Sequence, residues 1–142
     1  MIRLTHDPIQ SSDLLDAVRD SRCGGVVLFL GTVRELTGED VTVALEYEAY
    51  APMAERKLAE IIAELADGKP LVKFAVIHRL GRLEVGEAAV AVAVSAPHRT
   101  EAFELCRTAM DRIKDQVPIW KKDHTPTGET SWVLPAPADE IR

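Results

Sequence analysis

The first helical period along the chain is short. Leu14, Leu15 and Val18 share one face behind Ser11-Ser12-Asp13, which predicts a helix capped by that trio and running through Arg19. Gly24-Gly25 ends it. Val26-Val27-Leu28-Phe29-Leu30 is then a continuous apolar run of strand length and predicts a strand covered on both faces. A polar loop from Glu35 to Asp40, with Gly38 inside, leads to the alternating segment Val41 to Tyr47, a second expected strand. Pro52 suits the first turn of a helix in which Met53, Leu58, Ile61, Ile62 and Leu65 form the core stripe, and Gly68 is placed to end it.

Leu71 to His78 predicts a third strand, and Gly81, Gly86 and Glu87 punctuate a turn-rich passage. Ala88 to Ser95 is rich enough in alanine for a helix, but its alternating valines and its flanking Gly and Pro favour a strand. Phe103, Leu105, Cys106, Ala109, Met110 and Ile113 recur at helical spacing from Thr100 to Val117, and Pro118 closes that helix. Trp120 to Asp123 and Thr130 to Val133 read as a hairpin around Pro126-Thr127-Gly128. The pattern is α+β, with an at least partly antiparallel sheet because some strands follow one another without a helix between them. Residues 1–134 are expected to form one domain, and the Pro/Ala-rich residues 135–142 a flexible tail.

Composition narrows the function. With 142 residues the chain has room for one real core, and its 17 Lys+Arg against 23 Asp+Glu give a net charge of −6. That balance argues against general phosphate attraction to nucleic acid and against a membrane-surface module. No apolar stretch reaches spanning length and Met1 to Pro8 lacks a secretory layout, so a cytoplasmic protein is expected. Cys23 and Cys106 lie far apart and outside any CxxC pattern, and both read as packing residues.

The usual catalytic signatures are missing. His6, His78, His98 and His124 have no His or Cys three or four residues away, so no metal is expected. Nucleophile-elbow and phosphate-cradling glycine motifs are also absent. What remains is cationic. His98-Arg99 follows a strand and Pro97 at the start of the long helix, where free N–H groups favour an anion. Lys114 stands near the end of that helix, and Lys121-Lys122 follow across Pro118, where a chain reversal can bring lysines together. Convergence would lower at least one lysine pKa towards a useful acid/base range. Arg34, at the end of the first apolar strand, is a further anion-binding residue. Each has a plainer alternative: His98 as a capping-region residue, Lys114 as compensation of the helix dipole, and Arg34 as a surface ion pair with Glu35, Glu39 or Asp40. Six Lys/Arg against four acids between His98 and Lys122 give that segment +2, leaving −8 on the rest.

Five segments, in order, carry a resemblance: Phe29-Leu30-Gly31-Thr32-Val33-Arg34, Leu45-Glu46-Tyr47-Glu48-Ala49-Tyr50, Val76-Ile77-His78-Arg79-Leu80-Gly81, Val94-Ser95-Ala96-Pro97-His98-Arg99 and Val117-Pro118-Ile119-Trp120-Lys121-Lys122. From about Gly24 to Val133 the chain resembles the large, catalytic subunit of molybdopterin synthase, the MoaE family. The resemblance implies an α/β hammerhead-type domain, with a mixed, largely antiparallel sheet and flanking helices. It implies a homodimer within a heterotetramer whose other member is a small ubiquitin-like sulfur-carrier subunit of the MoaD type, ending in Gly-Gly. The implied activity is that of a sulfurtransferase in molybdenum cofactor biosynthesis. Two sulfurs pass from the carrier's C-terminal thiocarboxylate to cyclic pyranopterin monophosphate, forming the molybdopterin dithiolene without a metal or other cofactor. The implied site comprises Thr32, Val33, Arg34, His98, Arg99, Lys114, Lys121, Lys122 and Asp123, with Lys114 and Lys121 catalytic. The alternative is a non-catalytic module that binds a carrier tail or a small phosphorylated ligand in the same basic pocket.

Overall fold

The computed structural model describes residues 1–133, so the expected tail at 135–142 lies outside the described residues. In chain order the elements are β1 (Ile2–Thr5), α1 (Ser11–Ala17), β2 (Gly25–Thr32), β3 (Leu36–Thr37), β4 (Asp40–Val41), β5 (Ala44–Ala49), α2 (Ala51–Ala66), β6 (Lys73–Arg79), β7 (Gly81–Glu84), β8 (Ala88–Ala96), α3 (Arg99–Gln116), β9 (Ile119–His124) and β10 (Thr130–Val133). Two four-stranded sheets carry the fold, in the orders β1-β6-β8-β2 and β10-β9-β5-β7, and β3-β4 is a small hairpin. Among the described residues only the β1–β6 pair is parallel. The expected mixed, largely antiparallel α+β architecture is therefore present.

The strand at Ala88 is the centre of the molecule. In β8, Val90, Val92 and Val94 pack with Phe74 and Val76 of β6 under α2 and α3, while Ala91 and Ala93 pack with Ala75 and Ile77 under α1. The branched side chains fill the wide space beneath two long helices, and the small ones let the short α1 approach closely. Leu58 and Ile61 of α2 and Leu105, Cys106, Ala109, Met110 and Ile113 of α3 supply the opposing faces. Val33, Leu83 and Ala89 form a separate cluster with Leu45 and Tyr47, joining the first sheet to the second.

Several expectations are corrected. Gln10, not the Ser11-Ser12-Asp13 trio, is the N-cap of α1, and no side chain caps that helix. Val41 to Tyr47 is not one strand, because β4 pairs back into the β3 hairpin before β5 begins. The turn-rich passage contains β7, and the N-terminal residues form β1. Met53 and Phe103 point outward, 52% and 61% exposed, so both fall off the core stripes. Most consequentially, β2 is not covered on both faces. It is the edge of its sheet, pairs only with β8, and leaves Val26, Phe29 and Leu30 exposed. Among the described residues no helix is long and apolar enough to cross a membrane.

Candidate active site

The site forms where the ends of β2, α3 and β9 meet the second sheet. Its first cation is positioned by an irregularity in β2. Gly31 pairs with Val90 but Thr32 pairs with Ala88, so the ladder skips Ala89 and the strand turns at that point. Val33 is then buried at 2% exposure, and its backbone is held on both sides by the β7–β8 turn: its N–H donates to the Glu87 carbonyl at 2.9 Å, and its carbonyl accepts from Gly86 N–H at 2.8 Å. Arg34 emerges beyond this anchor and is exposed.

The lysines come from the other side. Lys114 lies in the last turn of α3, where a cation is favoured by the helix dipole. Val117 N–H closes the helix on the Ile113 carbonyl, Pro118 prevents its continuation, and β9 runs back along β5. There Lys121 stands opposite Tyr47, and Asp123 opposite Leu45, on the sheet face that carries the small core cluster. Burial lowers the pKa of the half-buried Lys121, and the positive charges of Lys114 and Arg34 lower it further, while Asp123 works the other way. Arg34, Lys114, Lys121 and Asp123 thus share one electrostatic environment.

Beneath them lies His78, at the end of β6 on the face shared with α2 and α3. Its ring meets Tyr47 edge-on at 5.1 Å, and its Nδ1 donates to the Arg79 carbonyl at 2.9 Å. Burial pushes its pKa down to about 4; that backbone bond opposes the shift, and the Lys114 charge assists it. His78 therefore forms a neutral floor to the site. In the sequence His78 marks the end of an expected strand, and its position directly after the apolar run Phe74 to Ile77 is the signal for a polar group at the core's edge.

Within one chain, three of the expected site residues lie away from this cluster. Lys122 projects from the opposite face of β9, because successive strand residues alternate, and its Nζ sits 5.4 Å from the Trp132 ring centroid. His98 caps the far end of α3, and Arg99 is its first residue. With about 1.5 Å of rise per residue, α3 separates Arg99 from Lys114 by about 22 Å. Within one chain His98 and Arg99 therefore belong to a different surface, beside Gly25, where an added Cβ would come within 3.0 Å of the Arg99 Cα. Thr32 is exposed and Val33 buried, and their backbone leads directly to Arg34.

Elsewhere the chain neutralises many of its cations: Arg3, Arg19, Arg22, Lys57, Lys73, Arg79, Arg82, Arg107 and Arg112 each pair with a carboxylate among the described residues. Arg34, Lys114 and Lys121 take part in none of these pairs. A groove of about 470 Å³ runs along the exposed edge, between Val27 and Phe29 of β2 and Phe103, Cys106 and Met110 of α3, and Lys114 lines it together with Arg107 and Asp111. Lys114 thus belongs both to this groove and to the cation cluster above a neutral imidazole, and such a cluster is suited to receive an anion.

Fold and site together define an α+β hammerhead-type enzyme subunit with a cationic pocket at the margin of its sheets. The sequence model for the MoaE protein matches residues 4–116. The molybdopterin synthase catalytic subunit of Halalkalibacterium halodurans is 46% identical over 130 residues, covering 92% of this chain and 83% of that protein. Molybdopterin synthase catalytic subunit 1 of Mycobacterium tuberculosis is 46% identical over 132 residues, covering 92% and 88%. The crystal structure of molybdopterin synthase from Staphylococcus aureus superposes with a TM-score of 0.87 at 40% identity, covering 92% of this chain and 95% of that one. The chain belongs to the MoaE family, that of the molybdopterin synthase catalytic subunits.

Proposed function

We propose that this chain performs the sulfur-transfer step of molybdopterin synthesis, with Lys114 and Lys121 as its catalytic residues and Arg34 as a substrate-binding residue. The observation that carries the reading is the convergence of three cations that form no ion pair among the described residues, one of them the half-buried Lys121 with a lowered pKa. The substrate fits that chemistry. Cyclic pyranopterin monophosphate carries an anionic phosphate, which suits the planar donor fork of Arg34. The thiocarboxylate sulfur attacks a side-chain carbon of the pterin and forms an S-acyl link, and water then hydrolyses the acyl–sulfur bond through an oxyanion, leaving the sulfur on the pterin and a carboxylate on the carrier. Lys114 is suited to stabilise the developing negative charge, and Lys121, with its lowered pKa, to move protons. The thiocarboxylate arrives on the C-terminus of a small ubiquitin-like carrier, an extended tail of the kind a narrow channel admits.

His98 and Arg99 join this site through a second copy of the chain. A two-fold axis crossing the middles of β2 and α3 would lay the two α3 helices antiparallel, so that the start of one meets the end of the other. Such packing would also cover Val26, Phe29, Leu30 and Phe103, the apolar side chains that β2 and α3 leave exposed. The working assembly is then a homodimer with one carrier at each pocket, a heterotetramer. The test is to mix the purified chain with thiocarboxylated carrier and cyclic pyranopterin monophosphate and assay the dithiolene product. Lys114→Ala and Lys121→Ala should each abolish turnover and leave the fold intact by circular dichroism. Undiminished turnover in both, or carrier binding with no product from the unaltered chain, overturns the reading.

A further inference from the structure

We infer that Arg79 and Glu87 are positioning residues that aim Arg34 into the site, an inference that rests on the proposed role of Arg34. Neither touches the pocket's cations, and their link to it is a continuous series of short contacts. Arg79, at the end of β6, is 13% exposed and donates from Nη1 to Glu87 Oε2 at 2.7 Å. The other carboxylate oxygen, Oε1, accepts from the Glu84 N–H at 2.9 Å. Both oxygens of Glu87 are thus committed, one to β6 and one to the end of β7, and these bonds hold the carboxyl below the usual glutamate range, the Glu84 N–H contributing most. The β7–β8 turn between them is fixed in place as a result.

That same turn grips Val33 with two hydrogen bonds, from Gly86 N–H and to the Glu87 carbonyl. Val33 immediately precedes Arg34, and β2 has already left its regular register with β8 at Thr32, so this grip replaces the sheet ladder as the constraint on the backbone there. The guanidinium of Arg34 meets no carboxylate among the described residues that could hold it in place of its backbone. Arg79 has few alternatives of its own: its Nε is buried without a partner, so loss of the Glu87 charge leaves a buried guanidinium unbalanced and drives the turn to rearrange. The consequence travels to Val33 and then to the direction of Arg34.

A purely structural fastening and a positioning role predict different couplings. Glu87→Gln in the otherwise unaltered chain, assayed with thiocarboxylated carrier and limiting cyclic pyranopterin monophosphate, should lower kcat/KM by about tenfold, chiefly through KM. In an Arg34→Ala background the same substitution should change kcat/KM less than about twofold, because the group it acts through is gone. Amide exchange supplies the independent readout. In Glu87→Gln the Val33 N–H should exchange at least about tenfold faster while the amides of Val92 and Ala93 in β8 stay protected. Equal losses in both backgrounds, no loss in the first, or unchanged protection of Val33 each overturn the positioning inference. If Arg34→Ala by itself leaves turnover unchanged, the anion role of Arg34 falls instead, and Val33 exchange alone decides whether Arg79 and Glu87 fix the backbone there.

Discussion

His78 makes the folded chain sensitive to mild acid. Its side chain is enclosed at 7% exposure and meets the Tyr47 ring, its Nδ1–H is spent on the Arg79 carbonyl, and the charge of Lys114 opposes a second positive charge. The folded-state pKa falls to about 4, against 6.5 for a free imidazole. On acidification the unfolded chain therefore takes up this proton first, so stability falls as pH drops through 6.5 and levels off below 4. For one such group the loss amounts to about 2 kcal/mol by pH 5 and approaches about 3 kcal/mol at its limit. The carboxyls of Asp20 and Glu87 are also perturbed, but downward, through hydrogen bonds from Arg22 and from the Glu84 N–H respectively. Their contributions are present above the ordinary carboxylate range and disappear only at lower pH, leaving the interval from 6.5 to 5 to His78 among these three. The assay is urea unfolding between pH 7.5 and pH 5 at fixed protein concentration, comparing the unaltered chain with His78→Asn. Asparagine can offer an N–H near the Nδ1 position but does not titrate. The variant should start less stable, because it loses the packing against Tyr47, yet show a much flatter dependence on pH. A flat curve for the unaltered chain, or an equally steep one for His78→Asn, would refute the reasoning.

Two further predictions concern the scaffold that holds the site. A Cβ on Gly31 would lie 2.7 Å from Val90 Cγ1, and the branched, buried valine cannot swing away, so Gly31→Ala should destabilise the fold by about 1–3 kcal/mol. Adding Val90→Ala should recover part of that loss in chemical denaturation, and purely additive losses would count against the contact. Ser95 is fully buried, and its hydroxyl donates to the Val18 carbonyl at 2.6 Å, tying β8 to the end of α1. Ser95→Ala strands that carbonyl and should cost about 1–3 kcal/mol in urea unfolding, with an unchanged m-value; a neutral substitution would show that the carbonyl finds another partner.

Much of the fold is written in local periodicity. The alternating valines of β8 and the helical spacing of α3 are properties of the chain itself, and both elements form as the pattern predicts. The short strands β1 and β7 were not legible, because four residues carry little periodicity and each depends on a distant partner, β1 on β6 and β7 on β5. The apolar run of β2 was legible as a surface that needs cover, but a sequence does not say whether the cover comes from the same molecule. Two separations follow from local geometry alone. Adjacent strand residues face opposite ways, which puts Lys121 and Lys122 on opposite faces of β9, and the length of α3 keeps Arg99 far from Lys114 within one chain. The association of Arg34 with Lys121 was different in kind. It depends on the β2 bulge, the β5–β9 register and the β7–β8 turn, all of them long-range pairings with no local signature.

The net charge of −6 makes the pocket more informative than a basic surface would be. In a chain with carboxylates in excess, an exposed cation has many possible partners, and those partners are used: Asp20 alone receives both Arg22 and Lys73, and Glu64 reaches across from α2 to Arg112 on α3. Among the described residues Arg34, Lys114 and Lys121 nevertheless form no ion pair, although Asp111 lines the same groove as Lys114. Asp123 is the carboxylate whose charge is felt at Lys121, and its effect there is outweighed by burial and by two neighbouring positive charges. Mutual repulsion within such a cluster is unfavourable in the empty site and is relieved when an anion binds. Under the proposed function, the electrostatic cost carried by the free protein becomes affinity for a phosphate or for the negative charge that develops during sulfur transfer.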